Sequence, residues 1–218
     1  MDEKDLKEMA GQLQGPHGDK GVEVAEMMNK TNFGMIHHSI HRLQLKDHHR
    51  ILELGPGNGR HLGDLLSQRK QLGYFGLETS DLMVNEALRI NQVLVEAHVA
   101  SFKRYDGLTI PYPAHYFDRI FTVNTIYFWE KPEVLVTELY RVLKQGGLIN
   151  ITFAQADFMA RLPFVKFGFK LYDTNSVEVL LKAPGFTVLQ AESQTESVTS
   201  KTGEQVSREF TTVSAQKR

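Results

Sequence analysis

Glu53-Leu54-Gly55-Pro56-Gly57-Asn58-Gly59 decides how the rest of this 218-residue chain is read. Three glycines fall within five residues. Glycine permits a tight turn and lets a ligand approach the backbone with no Cβ in the way. A plain strand–helix turn usually needs only one. The apolar run 51–54 precedes the loop and reads as a short strand. Leu62, Leu65 and Leu66 follow it on one face of a helix. The helix start behind the loop offers free N–H groups to a ligand. The glycines run G-x-G-x-G, and Arg60 stands where a dinucleotide fingerprint has its third glycine. Glu53, at a strand end, is costly to bury unless it has partners, such as loop N–H groups or a cationic ligand.

Strands and helices alternate outward from this loop. Residues 74–77 read as a second strand ending at Glu78, which lies 23 residues past Gly55. An acid at that place can accept hydrogen bonds from both hydroxyls of a ribose. Ser80 then caps a long predicted helix with Met83, Ala87, Ile90, Leu94 and Ala97 on one face. Residues 99–104, 117–123 and 148–153 are further predicted strands. Between the last two, Pro132 opens a helix carrying Leu135, Leu139, Val142 and Leu143, expected to stop at Gly146-Gly147. A short helix is expected near 176–183. Two closing strands, about 186–195 and 206–214, are joined through Thr202-Gly203-Glu204. The pattern predicts an α/β fold, a mostly parallel seven-stranded sheet with helices on both faces and an antiparallel last strand. Ligands of such sheets bind at the carboxyl ends of the strands, near the switch in strand order.

Residues 1–45 differ in character and are expected to form an N-terminal helical cap on a domain spanning 46–218. Val24, Met27, Met28, Met35, Ile36, Ile40 and Leu43 suggest a helix over 21–45. Gly11, Gly15, Pro16 and Gly18 are expected to interrupt any helix before it. A hydrophobic content of 41% with 23% charged residues is ordinary for a globular protein. The net charge of −1 gives no long-range pull toward nucleic acid or an anionic membrane. The absence of cysteine excludes disulfides, thiolate zinc sites and cysteine nucleophiles. With no apolar run of spanning length and no signal-like start, the expected location is the cytoplasm.

The motifs, taken in order, resemble those of the class I S-adenosylmethionine-dependent methyltransferases. The chain is similar in particular to the small bacterial enzymes of ubiquinone and menaquinone biosynthesis. The resemblance is carried by the run from Ile51 to Gly59, by Gly76-Leu77-Glu78-Thr79-Ser80 with Met83, and by Tyr105-Asp106-Gly107. It continues through Ile110-Pro111-Tyr112-Pro113, Phe117-Asp118 and the turn Leu143-Lys144-Gln145-Gly146-Gly147. It implies a Rossmann-like fold and S-adenosylmethionine as cofactor. By the same resemblance Gly55, Gly57 and Gly59 face the methionine part, and Glu53 sits near its amino group. Glu78 holds the ribose. Asp106, beside Gly107, binds the adenine amino group, and Thr79 and Met83 flank the adenine. Asn124 and Thr125 lie where cofactor and acceptor meet.

The methyl acceptor is less legible. The segment Val123-Asn124-Thr125-Ile126-Tyr127 lacks the Asn/Asp-Pro-Pro-Tyr/Phe pattern of enzymes acting on exocyclic amines. A small, partly apolar acceptor is therefore expected, methylated on oxygen or carbon, with no nucleic acid partner, no membrane insertion and no metal. Tyr127 and His37 are the candidate catalytic residues. His37 and His41 share a helix face, which with His38 is otherwise a solvated or packed surface. The aromatic run Phe158, Phe164, Phe167 and Phe169 is expected to be an apolar lid or core packing. A binding protein that no longer methylates remains an alternative. A nucleotide-dependent oxidoreductase is a second, disfavoured by the glycine spacing.

Overall fold

The computed structural model describes residues 2–199 and 205–218, so the expected turn at 202–204 lies outside the described residues. Two helices come first, α1 (Glu3–Gln14) and α2 (Gly18–His41). The alternating part follows as β1 (Arg50–Leu54), α3 (Leu62–Ser67), β2 (Gly73–Glu78), α4 (Asp81–Ile90), α5 (Gln92–Glu96), β3 (Ala100–Arg104) and β4 (Phe117–Val123). After a 3-10 turn (Ile126–Phe128) come α6 (Pro132–Val142), β5 (Leu143–Ala154), α7 (Ala156–Met159), α8 (Thr174–Lys182), β6 (Phe186–Thr199) and β7 (Gln205–Lys217).

The seven strands form one sheet in the order β3-β2-β1-β4-β5-β7-β6. The pairs β1–β2, β1–β4, β2–β3 and β4–β5 are parallel. Strand β7 inserts antiparallel between β5 and β6. The expected sheet is thus the observed one. The chain builds outward from β1 through β2 to β3, then returns to place β4 on β1's other side. That reversal is the switch point, and it opens a crevice beyond the carboxyl ends of β1 and β4.

Period-2 alternation sends neighbouring side chains to opposite faces of the sheet. On one face Ile51, Tyr74, Phe102 and Phe121 pack with Met35 and Ile40 of α2, Leu62 and Leu65 of α3 and Ala87 of α4. On the other, Leu52, Leu77, Ile120, Ile149 and Val213 pack with Leu135, Val136 and Leu139 of α6 and Leu181 of α8. Both faces are covered, so β1 reads as an unbroken buried run after Arg50.

Five elements differ from the sequence expectation. Helix α1 forms in spite of Gly11, because Asp2 and Asp5 make a reciprocal capping box that offsets a cost of about 1 kcal/mol for an internal glycine. The long helix after Ser80 breaks at Asn91, whose side-chain amide donates to the carbonyls of Ala87 and Gly59. Helix α6 ends at Val142, since Leu143 turns extended and pairs with Phe117 across a bulge. Gly146 (φ +74°) lies within the bulge, so the glycine pair sits inside β5 rather than at a helix end. Strands β6 and β7 run longer than expected. Buried Thr211, Thr212 and Ser214 hide β7's core position behind polar residues, and the Thr152 and Thr212 hydroxyls pair at 2.7 Å.

Candidate active site

The glycine loop leaves β1 at the switch point. Gly55 (φ +69°) and Gly57 (φ +57°) are left-handed, a conformation that side chains disfavour. A Cβ on Gly55 would stand 2.4 Å from Thr125 Cγ2, whereas one on Gly57 would meet open space. Above them lies a cavity of about 290 Å³. Glu53, Gly55, Gly57, Glu78, Thr79, Met83, Asp106, Gly107, Asn124 and Thr125 all line it. Gly59 does not. A Cβ there would press on the Phe102 ring at 2.9 Å, so this glycine serves packing between loop and sheet.

Two buried acids frame the loop. Glu53 Oε2 accepts from His61 Nε2 at 2.8 Å and from the buried Tyr74 hydroxyl. Glu53 Oε1 has no partner among the described residues, and Glu53 lines the cavity. Burial works against the His61 imidazolium, but the Glu53 charge and hydrogen bond outweigh it and raise the His61 pKa. Glu78 Oε1 accepts from the N–H groups of Thr79 (2.7 Å) and Ser80 (3.1 Å), and Oε2 from that of Gly57 (3.1 Å). Burial raises the Glu78 pKa and those three N–H groups oppose it. An ionised carboxylate has about four lone-pair sites, so Oε2 keeps room for a ligand hydroxyl. On the exposed rim, Asp106 Oδ1 accepts from Leu108 and Thr109 N–H groups, which lower its pKa.

The N-terminal helices close the crevice. Ser80 donates to the carbonyl of Pro16 at 2.5 Å, and the Gln12 amide bonds both backbone groups of His17. These bonds tie the α1–α2 corner to the loop that follows β2. Ala25, Met28, Asn29, Asn32 and Ile36 of α2 face the cavity. Sequence reasoning missed Asn29 and Asn32; two asparagines in an otherwise apolar helix stripe are the signal that could have found this face.

A second cavity of about 330 Å³ adjoins the first and shares Leu13, Met28, Asn32, Asn124 and Phe128 with it. Its other walls are mostly apolar, including Leu6, Met9, Phe158, Met159, Leu162 and Phe169, with Thr31, Tyr127 and Arg208 as the polar exceptions. The segment expected as lid or core thus lines this cavity with part of its residues, while Val165 packs on the core.

Neither candidate catalytic residue is placed to take a proton from an acceptor. His37 lines neither cavity. It packs on Phe33, with Nε2 3.8 Å from Asp64 at the surface, because the α2 face that meets the crevice is the one carrying Asn32. Tyr127 lines the apolar cavity, but its hydroxyl accepts from Ala154 N–H at 2.6 Å and donates to Asn124 Oδ1 at 3.0 Å. Burial raises its pKa further. Tyr127 therefore positions Asn124 (φ +58°), a strained left-handed residue at the junction of the two cavities.

Residues 52–151 match the methyltransferase domain family. An uncharacterised methyltransferase of Bacillus subtilis, YdaC, is 29% identical over 115 residues, 52% of this chain and 61% of that protein. The maize phosphoethanolamine N-methyltransferase 1 is 28% identical over 166 residues, 72% of this chain but 32% of the relative. The chain thus spans less than two thirds of the length of these curated relatives. In fold it is similar to a solved complex of the Haloferax volcanii Trm112 activator with a methyltransferase, at a TM-score of 0.76, 16% identity and 98% coverage of both chains. The cavity fits S-adenosylmethionine. Open space above Gly57 admits the chain, an unpartnered carboxylate oxygen suits its ammonium, and a buried second acid suits its ribose. The glycine loop at the switch point and the methyltransferase domain matched over residues 52–151 make this part of the chain similar to the class I S-adenosylmethionine-dependent methyltransferases.

Proposed function

We propose that the chain transfers the methyl group of S-adenosylmethionine to a small, predominantly apolar molecule, on oxygen or carbon. The observation that carries this reading is the apolar cavity joined to the glycine-loop cavity across Asn32 and Asn124. Gly55 and Gly57 admit the methionine part, and Glu53 Oε1 takes its ammonium. Glu78 accepts from the ribose, while Thr79, Met83, Asp106 and Gly107 hold the adenine. Asn124 and Thr125 mark the methyl-bearing end. The cofactor's sulfonium supplies the chemical drive. The chain's own task is to align the acceptor about 3 Å from the methyl carbon and to exclude water. Residues 1–45 act as a cap over the domain at 46–218. Through Leu6, Met9, Leu13, Met27 and Met28 they form one wall of the acceptor cavity.

The maize relative is named for phosphoethanolamine, a polar, charged acceptor. Such an acceptor is charged at both ends and has almost no apolar part, so it would leave the apolar walls beyond the polar junction at Asn32 and Asn124 without a matching surface. The net charge of −1 also argues against a polyanionic nucleic acid. Incubation with methyl-labelled cofactor and separate pools of metabolites, RNA, DNA and protein tests the reading. Label should collect in the organic-extractable, low-molecular-weight fraction. Label confined to RNA or protein would overturn it.

A further inference from the structure

Four polar side chains meet where the two cavities join. Arg208, on β7, is buried and pairs with Glu196 at 2.6 Å, and its Nη1 donates to Asn32 Oδ1 at 3.2 Å. Asn124 Nδ2 donates to the same oxygen at 3.1 Å, and Tyr127 donates to Asn124 Oδ1 at 3.0 Å. An arginine can only donate. Asn32 must therefore turn its oxygen toward Arg208, and Asn124 must turn its amino group toward that oxygen. Arg208 thereby sets the direction of both amides. Glu196 already neutralises it, so it orients the network without being a free counter-ion.

The consequence is a one-sided junction. The carbonyl oxygens of Asn32 and Asn124 are taken, the Tyr127 hydroxyl is engaged on both sides, and Asn32 Nδ2 has no partner among the described residues. Asn32 lines both cavities. The junction thus offers an acceptor a hydrogen-bond donor. Among the described residues, the apolar cavity is lined by no Asp, Glu, His or Lys. A group that must shed a proton to react finds no base there.

Building on the proposed small-molecule reading, we propose that the acceptor is the carboxylate of an apolar acid, anchored through one oxygen by Asn32 Nδ2. A carboxylate is already ionised at neutral pH, so it needs no base. Its second oxygen donates a lone pair to the methyl carbon, forming an O–C bond. The C–S bond breaks with its electron pair going to sulfur. The products are a methyl ester and S-adenosylhomocysteine, and no proton moves.

The test offers linear and aromatic carboxylic acids, with the alcohols and amines of the same skeletons, to the wild-type protein and to Asn32→Asp. The aspartate is nearly isosteric and still accepts from Arg208 and Asn124, but it turns an anion toward the acceptor. Methyl esters should form from the acids, and Asn32→Asp should lower kcat/KM for them roughly ten- to hundred-fold. Thermal melting and S-adenosylhomocysteine affinity of Asn32→Asp are read alongside, and the loss in kcat/KM for the acids should exceed any change in either, which separates the effect from misfolding and from the cofactor wall that Asn32 also forms. Absence of ester formation, methylation of the amines or alcohols in place of the acids, or equal activity of Asn32→Asp on the acids would each overturn the proposal. Methylated alcohols would leave the proposed transfer to a small molecule's oxygen standing, whereas methylated amines would leave only its small-molecule part. Label found only in macromolecules would overturn both.

Discussion

Replacement of Glu78 by glutamine separates what this acid does for the fold from what it does for the ligand. Glu78 is 7% exposed and accepts from three backbone N–H groups. Glutamine can keep its oxygen on Thr79 and Ser80, but its amino group then faces the Gly57 N–H, donor against donor. That lost bond, with a charged acceptor, is worth about 1.5–3 kcal/mol. Against it stands the cost of holding a charge in a buried place, which is large enough to leave the Glu78 pKa raised. The neutral side chain escapes that cost, so the two effects largely cancel without ligand. The ligand-free Tm should move by less than about 4 °C, since 1 kcal/mol corresponds to about 2–4 °C at this chain length. Cofactor binding has no such compensation. Each ribose hydroxyl that loses a charged acceptor should weaken binding roughly 10- to 150-fold. Calorimetric titration with S-adenosylhomocysteine and a ligand-free thermal melt read the two quantities. An affinity within about twofold of wild type, or a collapse of the ligand-free Tm, would refute this reasoning.

Further outcomes follow from the same geometry. Gly55→Ala should abolish cofactor binding in calorimetry, because the new Cβ would stand 2.4 Å from Thr125 Cγ2 at a φ of +69°; wild-type affinity would contradict it. Leu139→Ala, at a fully buried α6 position, should cost about 2–5 kcal/mol in denaturant unfolding while leaving the cofactor Kd of the folded protein unchanged. Acidification should weaken cofactor binding starting above the ordinary glutamate pKa of 4.5, because the Glu78 pKa is raised and its protonated form loses acceptor capacity. The same shift gives the ligand-free fold a contribution that is fully present at low pH and lost as pH rises through the folded pKa, so stability and affinity respond oppositely; titrations from pH 7 downward that show no loss until well below 4.5 would count against it.

The parts of this molecule that depend on local pattern were legible. Short apolar runs ending at Leu54 and Glu78, a glycine loop between strand and helix, and amphipathic spacing after Ser80 and Pro132 are each properties of a few neighbouring residues. Together they imposed the sheet and located the crevice. What escaped was set by distant partners. Asn91 looks like an ordinary helix residue until its amide reaches Gly59, 32 positions away. Gly59 looks like a cofactor glycine until Phe102 is seen against it. His37 carries a suggestive side chain, yet the turn of α2 that it occupies looks toward α3 and not into the crevice. Tyr127 stands at the right place along the chain, but its hydroxyl is consumed by Asn124 and Ala154. The junction itself could not be read at all, since it depends on Arg208 meeting Asn32 from 176 residues away.

The proposed function requires the two adjoining cavities to be the donor and acceptor halves of one site. A crystal structure of the protein with S-adenosylhomocysteine would show whether they are. The adenine should lie beside Asp106 and Met83, the ribose on Glu78, and the sulfur at Asn124 facing the apolar cavity lined by Phe158 and Phe169. A sulfur turned away from that cavity, or a ligand bound outside the glycine-loop crevice, would contradict the proposed function.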